Sequence, residues 1–430
     1  MVDADSGSAR GWIILAGALL LAAAIIYSAT RYAYAEHLIA STVPRDWERA
    51  AQLEPADADY WDRLGRYRQL DFADNDLPRA IADYRRATQL DPLQADYWLD
   101  LGSAYENVGQ PGEARQAFLK ARADYPLSAE VAWRYGNFLL RQGQLQEALA
   151  EIHRAVAGDH SLVTLAASRT WHATGDIQLV LNQVLPPTKE AYLAAMDAFV
   201  SEGEPRPALA VWQRLLQLGQ HVDLERANVL VDALTAEGQV AEAVQVWHQA
   251  LIASGASPPG TAIFPLISNG GFERDSSNGG FDWRISPVEG VHYDFDSTVA
   301  HSGSRSLRIT FDGQSNVDFR DIFQIVPVEP HTRYRFSVYF RTEGLTTESG
   351  LRVCIFHVGG PGAPDAYTPD VTGTQPWTLL EVEFTTGPQT AVVEIHLCRL
   401  PSEKFDNKIR GTAWVDDVTL LPADSAGKAP

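Results

Sequence analysis

The chain has 430 residues, of which 45% are hydrophobic and 21% charged, a composition typical of folded globular proteins rather than of disordered or fibrous ones. At about 100 to 200 residues per domain, this length predicts two or three domains. The 55 acidic side chains outnumber the 35 Lys and Arg side chains and give a net charge of -20, which disfavours contact with a phosphate backbone. We therefore expect no nucleic-acid partner.

The first predicted element is an apolar helix near the N-terminus. Residues 11–30 contain no charged side chain, and twenty helical residues at a rise of about 1.5 Å span about 30 Å, the thickness of a bilayer core. Trp12 and Tyr27 lie near the two ends of this run, where amphipathic rings favour the membrane interface. We predict a transmembrane anchor at 11–30, after a short tail at 1–10 and before a helical connector at 31–56.

A cleaved signal peptide is the alternative interpretation of this run. Residues 33–35, Ala-Tyr-Ala, match the small-residue pattern of a cleavage site. However, the apolar run exceeds the roughly 7 to 15 residues of a signal peptide, and Arg31 lies between the run and that site, so we favour the anchor. Orientation stays open, because Arg31, Arg45 and Arg49 follow the run and favour a cytoplasmic C-terminal part, whereas the nature of the C-terminal domain favours the outside.

A helical repeat follows the connector. In the segment 95–126, several residues have the spacing of the roughly 34-residue tetratricopeptide consensus: Trp98, Leu101, Gly102, Tyr105, Gly109, Ala114, Phe118, Ala121 and Pro126. Weaker copies precede and follow, and the last ones are degenerate. Small Gly and Ala residues let the two helices of a unit approach closely, while aromatic residues fill the space between units. We predict an all-α superhelix of about six helix pairs at 57–254.

This pattern resembles that of tetratricopeptide repeat proteins over close to half the chain. The resemblance implies a scaffold that binds a protein partner, in which the first helix of each unit lines a groove for a peptide. The candidate groove residues are Arg66, Ser103, Glu106, Asn107, Asn137 and Arg141. They offer a guanidinium fork and side-chain amides to backbone or carboxylate groups. The alternative is that these are ordinary solvated helix residues.

After a breaker-rich linker at 255–262, the hydrophobic period changes from about 3.6 to about 2. The alternating segments predict short strands at 306–311, 323–328, 333–341, 351–358, 377–385, 392–400 and 412–420. Many short strands without helical patterns between them are typical of an all-β sandwich. The predicted fold is therefore multi-domain: a transmembrane helix, an all-α repeat array and an all-β sandwich.

Motifs in this last region resemble those of jelly-roll carbohydrate-binding modules of the family 4/9/16/22 type, which have a galactose-binding-like fold. In chain order they are Asn-Gly-Gly-Phe-Glu at 269–273, Trp283, Ala-His-Ser-Gly-Ser-Arg-Ser-Leu at 300–307, Gln-Ile-Val-Pro at 324–327, Tyr-Arg-Phe-Ser at 334–337 and Val-Asp-Asp-Val at 415–418. The resemblance implies a jelly roll at 263–422 that binds a polysaccharide or glycoconjugate. We expect a disordered tail at 423–430.

The same resemblance implies a structural calcium ion between the first segment, the His-Ser-Gly loop and the last strand. The matching oxygens belong to Glu273, to Asp416 or Asp417, and to backbone carbonyls near Ser302 or Ser304. Calcium takes six to eight hard oxygen ligands, which this set largely supplies. The alternative is that the carboxylates merely cap turns. Calcium is thus a candidate ligand, and no cofactor is required.

Alternation along the strands identifies a candidate sugar-binding face. Apolar residues at every second position must face the core, which leaves the intervening residues on the outer face. In the strand order that the resemblance implies, four strands share one sheet, whose outer face carries Tyr339, Phe356, His396, Glu394, Arg335, Arg308 and Arg352. Rings that stack on sugar C–H groups, beside polar groups that hydrogen-bond hydroxyls, suit a glycan. The alternative is a merely solvated sheet face.

The two cysteines are expected to be free thiols. In the same strand order, the strand holding Ser337 separates those holding Cys354 and Cys398, which places the thiols roughly 10 Å apart at a strand spacing of about 4.8 Å. That distance is too long for a disulfide. Direct pairing of the two cysteine strands would reverse this prediction.

Motifs of known enzyme classes are missing from the sequence. It contains no Gly-rich phosphate loop, H-E-x-x-H, G-x-S-x-G or C-x-x-C, and no segment remains for a glycosidase domain around two carboxylates. We expect a non-enzymatic scaffold, anchored in a bacterial inner membrane with its C-terminal domains outside the cytoplasm, in cell-envelope polysaccharide assembly or export. The alternatives are a protein-only assembly factor whose jelly roll binds no sugar, and an enzyme with an unrecognised site.

Overall fold

The computed structural model describes residues 6–41, 43–70, 76–357 and 365–423. It divides into two compact units, Met1–Pro186 and Pro187–Pro430. The described residues form fourteen helices followed by ten strands, so the predicted order of an apolar N-terminal helix, an all-α repeat region and an all-β sandwich is confirmed. All of the tail expected at 423–430 except Ala423 lies outside the described residues.

The first unit is helical. Its helices are α1 (Ser6–Ile39), α2 (Pro44–Leu53), α3 (Ala58–Leu70), α4 (Leu77–Leu90), α5 (Ala95–Asn107), α6 (Pro111–Asp124), α7 (Ala129–Arg141), α8 (Leu145–Gly158), α9 (Val163–Thr174) and α10 (Ile177–Leu179), which runs into a π-helical turn at Val180–Val184. Consecutive helices from α3 to α8 pack as antiparallel pairs.

Helix α1 contains the predicted apolar run. Its segment Gly11–Ile39 contains an 18-residue window with a mean hydropathy of 2.3 and is long and apolar enough to cross a membrane. The residues of the run are exposed, whereas Ala35, Leu38 and Ile39 at the end of α1 are buried against α2 and α3. Length and composition of this kind are shared by membrane spans and signal sequences.

Small residues explain how the two helices of a pair approach each other. A Cβ atom on Gly65 of α3 would lie 2.8 Å from the ring of Tyr84 on α4, and one on Gly102 of α5 would lie 3.0 Å from the ring of Phe118 on α6. Neither position has space for a larger side chain. The consensus Gly and aromatic positions therefore meet inside these two helix pairs.

The second unit begins with two further helix pairs. They are α11 (Lys189–Ser201) with α12 (Pro205–Leu216) and α13 (Leu224–Ala236) with α14 (Val240–Ala253). Trp212 and Trp247, which mark the degenerate repeats in the sequence, are buried in the second helix of their pairs. Burial of these tryptophans thus stabilises the helix pairs in which few consensus residues remain.

The β-sandwich makes up the rest of the second unit. Its strands are β1 (Arg284–Ile285), β2 (Val291–Asp296), β3 (Ser306–Asp312), β4 (Phe319–Pro327), β5 (Arg333–Leu345), β6 (Arg352–His357), β7 (Ala366–Tyr367), β8 (Gly373–Thr385), β9 (Val392–Arg399) and β10 (Arg410–Pro422). Among the described residues they form two antiparallel sheets, with the orders β1-β4-β9-β6-β7 and β2-β3-β10-β5-β8. We call these the β9 sheet and the β5 sheet.

The core of the sandwich lies between the two sheets. Alternating apolar residues fill it, including Phe336 and Val338 of β5 and Val353 and Ile355 of β6. The predicted inward positions of these strands are therefore correct. Burial of apolar area contributes about 25 cal/mol per Å², so this layer stabilises the sandwich.

The predicted grouping of four strands in one sheet is wrong. Strands β3 and β5 belong to the β5 sheet, whereas β6 and β9 belong to the β9 sheet. The physical reason is that the chain crosses from one sheet to the other between β5 and β6, so β5 pairs with β8 and β10 and not with β6. The seven candidate sugar-binding residues are consequently divided between two opposite outer faces.

The prediction of two free thiols is also wrong. Strand β6 pairs directly with β9, in a register that places Arg352 opposite Cys398 and Cys354 opposite His396. The Cα atoms of Cys354 and Cys398 are 6.0 Å apart, and the two residues form a disulfide. The strand with Ser337, expected between them, lies in the other sheet.

The sandwich and the last helix pair contact each other within the second unit. Asn228 of α13 donates to the backbone oxygen of Ser277 over 2.8 Å, and Asp232 accepts from Arg284 over 2.6 Å. A Cβ atom on Gly279 would lie 2.7 Å from the amide nitrogen of Asn228. The residues that follow the predicted linker are thus packed on the array.

Candidate functional site

The outer face of the β9 sheet carries a cluster of three rings. Phe323 of β4 stacks on His396 of β9 with centroids 4.6 Å apart, and Phe356 of β6 meets the same imidazole edge-on at 5.1 Å. The register causes this meeting, because Phe323 lies opposite His396 and Phe356 lies opposite Glu394. All three rings are half-buried. We call this cluster, with its surroundings, the β9 face.

Polar groups surround the rings of the β9 face. The Nε2 atom of His396 lies 3.0 Å from Oε2 of Glu394, and its Nδ1 lies 2.8 Å from the backbone oxygen of Arg320. The hydrogen bond and the charge of His396 hold the pKa of Glu394 below its ordinary value, in spite of burial. Arg352 forms an ion pair with Asp370 at 3.1 Å. Hydrogen-bonding groups therefore stand beside apolar ring faces, as a sugar requires.

The sequence reasoning missed three residues of the β9 face. These are Phe323 itself, Arg320, whose guanidinium lies 5.8 Å from the ring centroid of Phe356, and Tyr367, whose ring lies 5.8 Å from the guanidinium of Arg352. Tyr367 is 56% exposed. The signal for Phe323 was hidden because its neighbour Gln324, a polar residue, points inward, where it hydrogen-bonds the backbone of Ser268. A polar residue on the core side inverts the expected alternation.

The outer face of the β5 sheet, the β5 face, carries the other three candidates. Arg308 binds Asp294 through two hydrogen bonds of 2.9 and 2.6 Å, and Arg335 donates to Glu383 over 3.2 Å. Both guanidinium groups are thus neutralised by carboxylates of neighbouring strands. Tyr339 is half-buried and joins Arg308 and Arg335 on this face, away from Phe356 and His396.

The candidate calcium ligands meet at the corner formed by the 301–305 loop. Asp416 accepts from the backbone N–H groups of His301 and Ser302 over 2.8 and 3.1 Å. Its neighbour Asp417 accepts from the hydroxyl of Ser302 over 2.7 Å. Burial raises the pKa of Asp416. These two carboxylates therefore cap the loop by accepting hydrogen bonds.

Glu273 completes the corner in the same way. It accepts from the backbone N–H of Ser304 over 2.9 Å and from the hydroxyl of Ser304 over 2.5 Å, and these hydrogen bonds lower the pKa of Glu273. The loop thus points N–H and O–H donors, not oxygen ligands, at the carboxylates. Across the described part of the chain, no group of three or more His, Cys, Asp or Glu side chains has a geometry that suits a metal ion. The carboxylates of this corner therefore act as hydrogen-bond acceptors for the loop.

Four of the six candidate groove residues of the helical unit form polar contacts between the first helices of successive repeats. Arg66 of α3 forms an ion pair with Asp100 of α5, and Arg141 of α7 binds Glu106 of α5 through two hydrogen bonds of 2.7 Å. Asn137 of α7 accepts a hydrogen bond of 2.7 Å from Arg169 of α9. Of the other two candidates, both on α5, Ser103 is half-buried and Asn107 is exposed. Arg66, Glu106, Asn137 and Arg141 thus link first helices, and only Glu106 and Arg141 bind each other.

Asp62 is the most buried charged group of this array. Its residue is 1% exposed, and its Oδ1 atom has no hydrogen-bond partner among the described residues. Burial, followed by the charge of Asp100, raises the pKa of Asp62 to about 7, and the charge of Arg66 opposes this shift only in part. A carboxyl with such a pKa titrates near neutral pH.

Family comparisons agree with this division of the chain. Residues 265–403 match the family described as a carbohydrate binding domain, and residues 99–161 and 69–109 match tetratricopeptide repeat families. The chain carries tetratricopeptide repeats and a carbohydrate-binding domain. The matched range of that domain includes all three rings of the β9 face. No curated protein matches the chain.

Solved structures resemble each part separately. The structure of MamA protein is 19% identical and covers 48% of this chain and 98% of its own, with a TM-score of 0.24. YrrB, titled a TPR protein with an unusual peptide-binding site, is 17% identical, with 50% and 94% coverage and a TM-score of 0.27. A structure titled CBM4 structure and function is 20% identical, with 36% and 99% coverage and a TM-score of 0.27. TM-scores this low support no conclusion about ligands.

Proposed function

We propose that this protein is a membrane-anchored, non-enzymatic scaffold whose repeat array binds a protein partner and whose sandwich binds a polysaccharide or glycoconjugate. The observation that carries the proposal is the ring cluster of Phe323, Phe356 and His396 on the β9 face of the carbohydrate-binding domain. The setting we propose is assembly or export of a cell-envelope polysaccharide.

The chemistry of the β9 face supports sugar binding there. The half-buried rings offer apolar faces to the C–H groups of a pyranose. Glu394 accepts hydrogen bonds from hydroxyl groups, and Arg320 and Arg352 donate them. A sheet face with rings and polar groups side by side suits a polymer chain that runs across the strands.

The disulfide supports a location of the sandwich outside the cytoplasm. Disulfides persist in oxidising compartments and are rare in the cytosol, and Cys354 and Cys398 are both buried. Together with the apolar run of α1 as an anchor, this favours an inner-membrane protein whose C-terminal domains face the periplasm. The arginines after the run oppose that orientation only weakly, because long domains translocate largely regardless of such charges.

The proposal also concerns whether the corner at the 301–305 loop needs a metal ion. We propose that it requires no calcium ion, because Glu273, Asp416 and Asp417 already accept hydrogen bonds from the loop. A calcium ion bound there would have to displace these donors. No cofactor is therefore part of the proposed function.

Phe356→Ala tests the proposed sugar site. Affinity electrophoresis of the full chain in detergent, against a panel of polysaccharides, should show retention by one polymer class, and the variant should lose it because the C–H stacking ring is removed. The matched control is Phe405→Ala, which removes a fully exposed ring from the loop between β9 and β10. Equal retention of Phe356→Ala and wild type would contradict the site. A folded wild type retained by no polymer would favour the protein-only assembly factor.

A further inference from the structure

The β5 face carries a second ring cluster that the proposed function does not use. His301 stacks on Tyr339 of β5 with centroids 3.7 Å apart, and Trp377 of β8 meets the same imidazole at 5.5 Å. Tyr339 and Trp377 are half-buried, and Leu379 beside them is 42% exposed. The cluster therefore places three aromatic rings side by side on the β5 face.

Arg341 lies on the same face, and it contacts an aromatic ring where Arg308 and Arg335 bind carboxylates. Its guanidinium lies 5.3 Å from the ring centroid of Trp414, and the residue is half-buried. Arg308 and Arg335 of the same face each have a carboxylate partner. Among the described residues, no carboxylate lies within ion-pair distance of Arg341. Within the described part of the chain, Arg341 is thus a cation that stacks on an indole ring and has no carboxylate partner.

A half-buried guanidinium without a carboxylate can bind an anion from outside the chain. Its planar fork matches a carboxylate through two parallel hydrogen bonds, and the loss of water around it strengthens such a bond. Stacking on Trp414 fixes the orientation of the fork, so little side-chain entropy is lost on binding. The Nε1 atom of Trp414 donates to Asp296 over 2.8 Å and so holds the indole in place.

The charges around Arg341 restrict the kind of anion. Glu343 of β5 and Glu381 of β8 are exposed, and they repel a densely charged polymer such as a polysulfate. A single carboxylate on an otherwise neutral ring avoids much of this repulsion. Rings for C–H stacking beside one fork for one carboxylate match the chemistry of a uronic acid residue.

We propose that the β5 face is a second glycan site, which binds a uronate-containing saccharide through Trp377, Tyr339 and Arg341. This inference deepens the proposed function and rests on it. The two sites lie on the outer faces of opposite sheets, so one domain holds two saccharide segments at once. Two sites on one rigid body give the domain avidity for a polymer array without any further contact.

Calorimetric titration of the full chain in detergent with a hexasaccharide of five neutral sugars and one glucuronic acid residue tests the proposal. We expect binding by wild type, and at least about a tenfold weaker affinity for Arg341→Met, because the charge-assisted pair is lost while the packing on Trp414 is kept. Arg341→Lys, which keeps the charge without the fork, should lie between the two. Phe405→Ala, which removes an exposed ring outside both ring clusters, should bind the hexamer as wild type does, with thermal unfolding confirming that each variant is folded.

The outcomes separate this inference from the proposed function. Loss of hexamer binding in Phe356→Ala, with no change in Arg341→Met and Trp377→Ala, would overturn the second site and leave the β9 face as the glycan site. A wild type that does not bind the hexamer, but is retained by a neutral polysaccharide, would overturn the second site as well. Equal affinity of wild type for the uronate-containing hexamer and for a neutral hexamer would refute the role of Arg341.

Discussion

Asp62 shows how one buried carboxyl affects the stability of the helical unit. Its pKa of about 7 in the folded protein lies above the ordinary value of 3.8. The unfolded chain therefore releases this proton at lower pH than the folded one, and stability falls as the pH rises from about 4 to about 7. At pH 8 the folded protein carries a buried charge that Arg66 compensates only in part.

Asp62→Asn should therefore stabilise the helical unit at pH 8. Removing the buried charge should raise the free energy of unfolding by on the order of 2 kcal/mol at pH 8. At about pH 4, close to the ordinary value, the effect should be small, because Asp62 is protonated in the folded protein and about half protonated in the unfolded chain. Urea unfolding of the full chain in detergent, followed by helical circular dichroism, measures both values.

A matched control is Asp59→Asn on the same helix. Asp59 forms an i,i+4 pair with Arg63 at 2.7 Å, and both side chains are about half exposed. Such a surface pair contributes about 0.5 kcal/mol or less. Destabilisation of Asp62→Asn at pH 8 would show instead that the ion pair with Arg66 outweighs the cost of burial.

Single residues also show which parts of the β9 face can be predicted from the sequence. Alternation identified Phe356, Glu394 and His396 as outward residues, because their neighbours are apolar and buried. It did not identify Phe323, because Gln324 points inward and is satisfied by the backbone of Ser268. A buried polar residue with a specific partner cannot be recognised from hydrophobicity, since the partner is distant in the chain.

At the scale of elements, the pairing of strands determines which side chains share a face. The local sequence pattern does not predict that pairing. The strand positions and their inward faces follow from a period of about two, and these predictions were right for β5, β6 and β9. Which strands are neighbours depends on pairings between distant segments, such as β4 with β9 and β6 with β9. For this reason, the prediction of a single sugar-binding face was wrong, and so was the prediction of two free thiols.

The disulfide should stabilise the sandwich by closing a loop between β6 and β9. Cys354 and Cys398 are 44 residues apart, and the chain-entropy model gives about 4 kcal/mol for a loop of this length. Replacing both cysteines by alanine should lower the free energy of unfolding by about this amount. Urea unfolding followed by tryptophan fluorescence measures the change.

Reduction supplies the control for that experiment. A reducing agent should destabilise wild type to about the level of the double-alanine variant and leave the variant unchanged. Thiol titration of the denatured, unreduced protein should detect no free thiol. Two free thiols in protein taken from its native compartment would contradict both the pairing and the proposed location.

The corner between β3 and β10 gives a second prediction at this scale. Glu273, Asp416 and Asp417 accept their hydrogen bonds from the 301–305 loop, so removal of calcium should change the melting temperature of the sandwich by no more than about one degree. Differential scanning calorimetry with calcium and with a chelator measures this. An increase of several degrees with calcium would show that the loop rearranges to present its carbonyl oxygens, as the family resemblance implies.

At the scale of the whole molecule, the chain combines an apolar N-terminal helix, repeats of a protein-binding type and a carbohydrate-binding domain. Each part was recognisable in the sequence because its pattern is local: an uncharged run, a repeat of about 34 residues and alternation along strands. The identity of the ligands does not follow from such local patterns. They depend on which side chains meet on the surface, and the two opposite ring clusters of the sandwich became visible only with the strand order.

The most direct test of the central claim is to measure binding and cleavage of one polysaccharide by the full chain in the same experiment. The polymer that retains the protein is incubated with it, and its affinity and its length are then determined. We predict saturable binding that Phe356→Ala weakens, with a polymer of unchanged length. A shortened polymer would contradict a non-enzymatic scaffold, and a folded protein that binds no polymer would contradict glycan recognition.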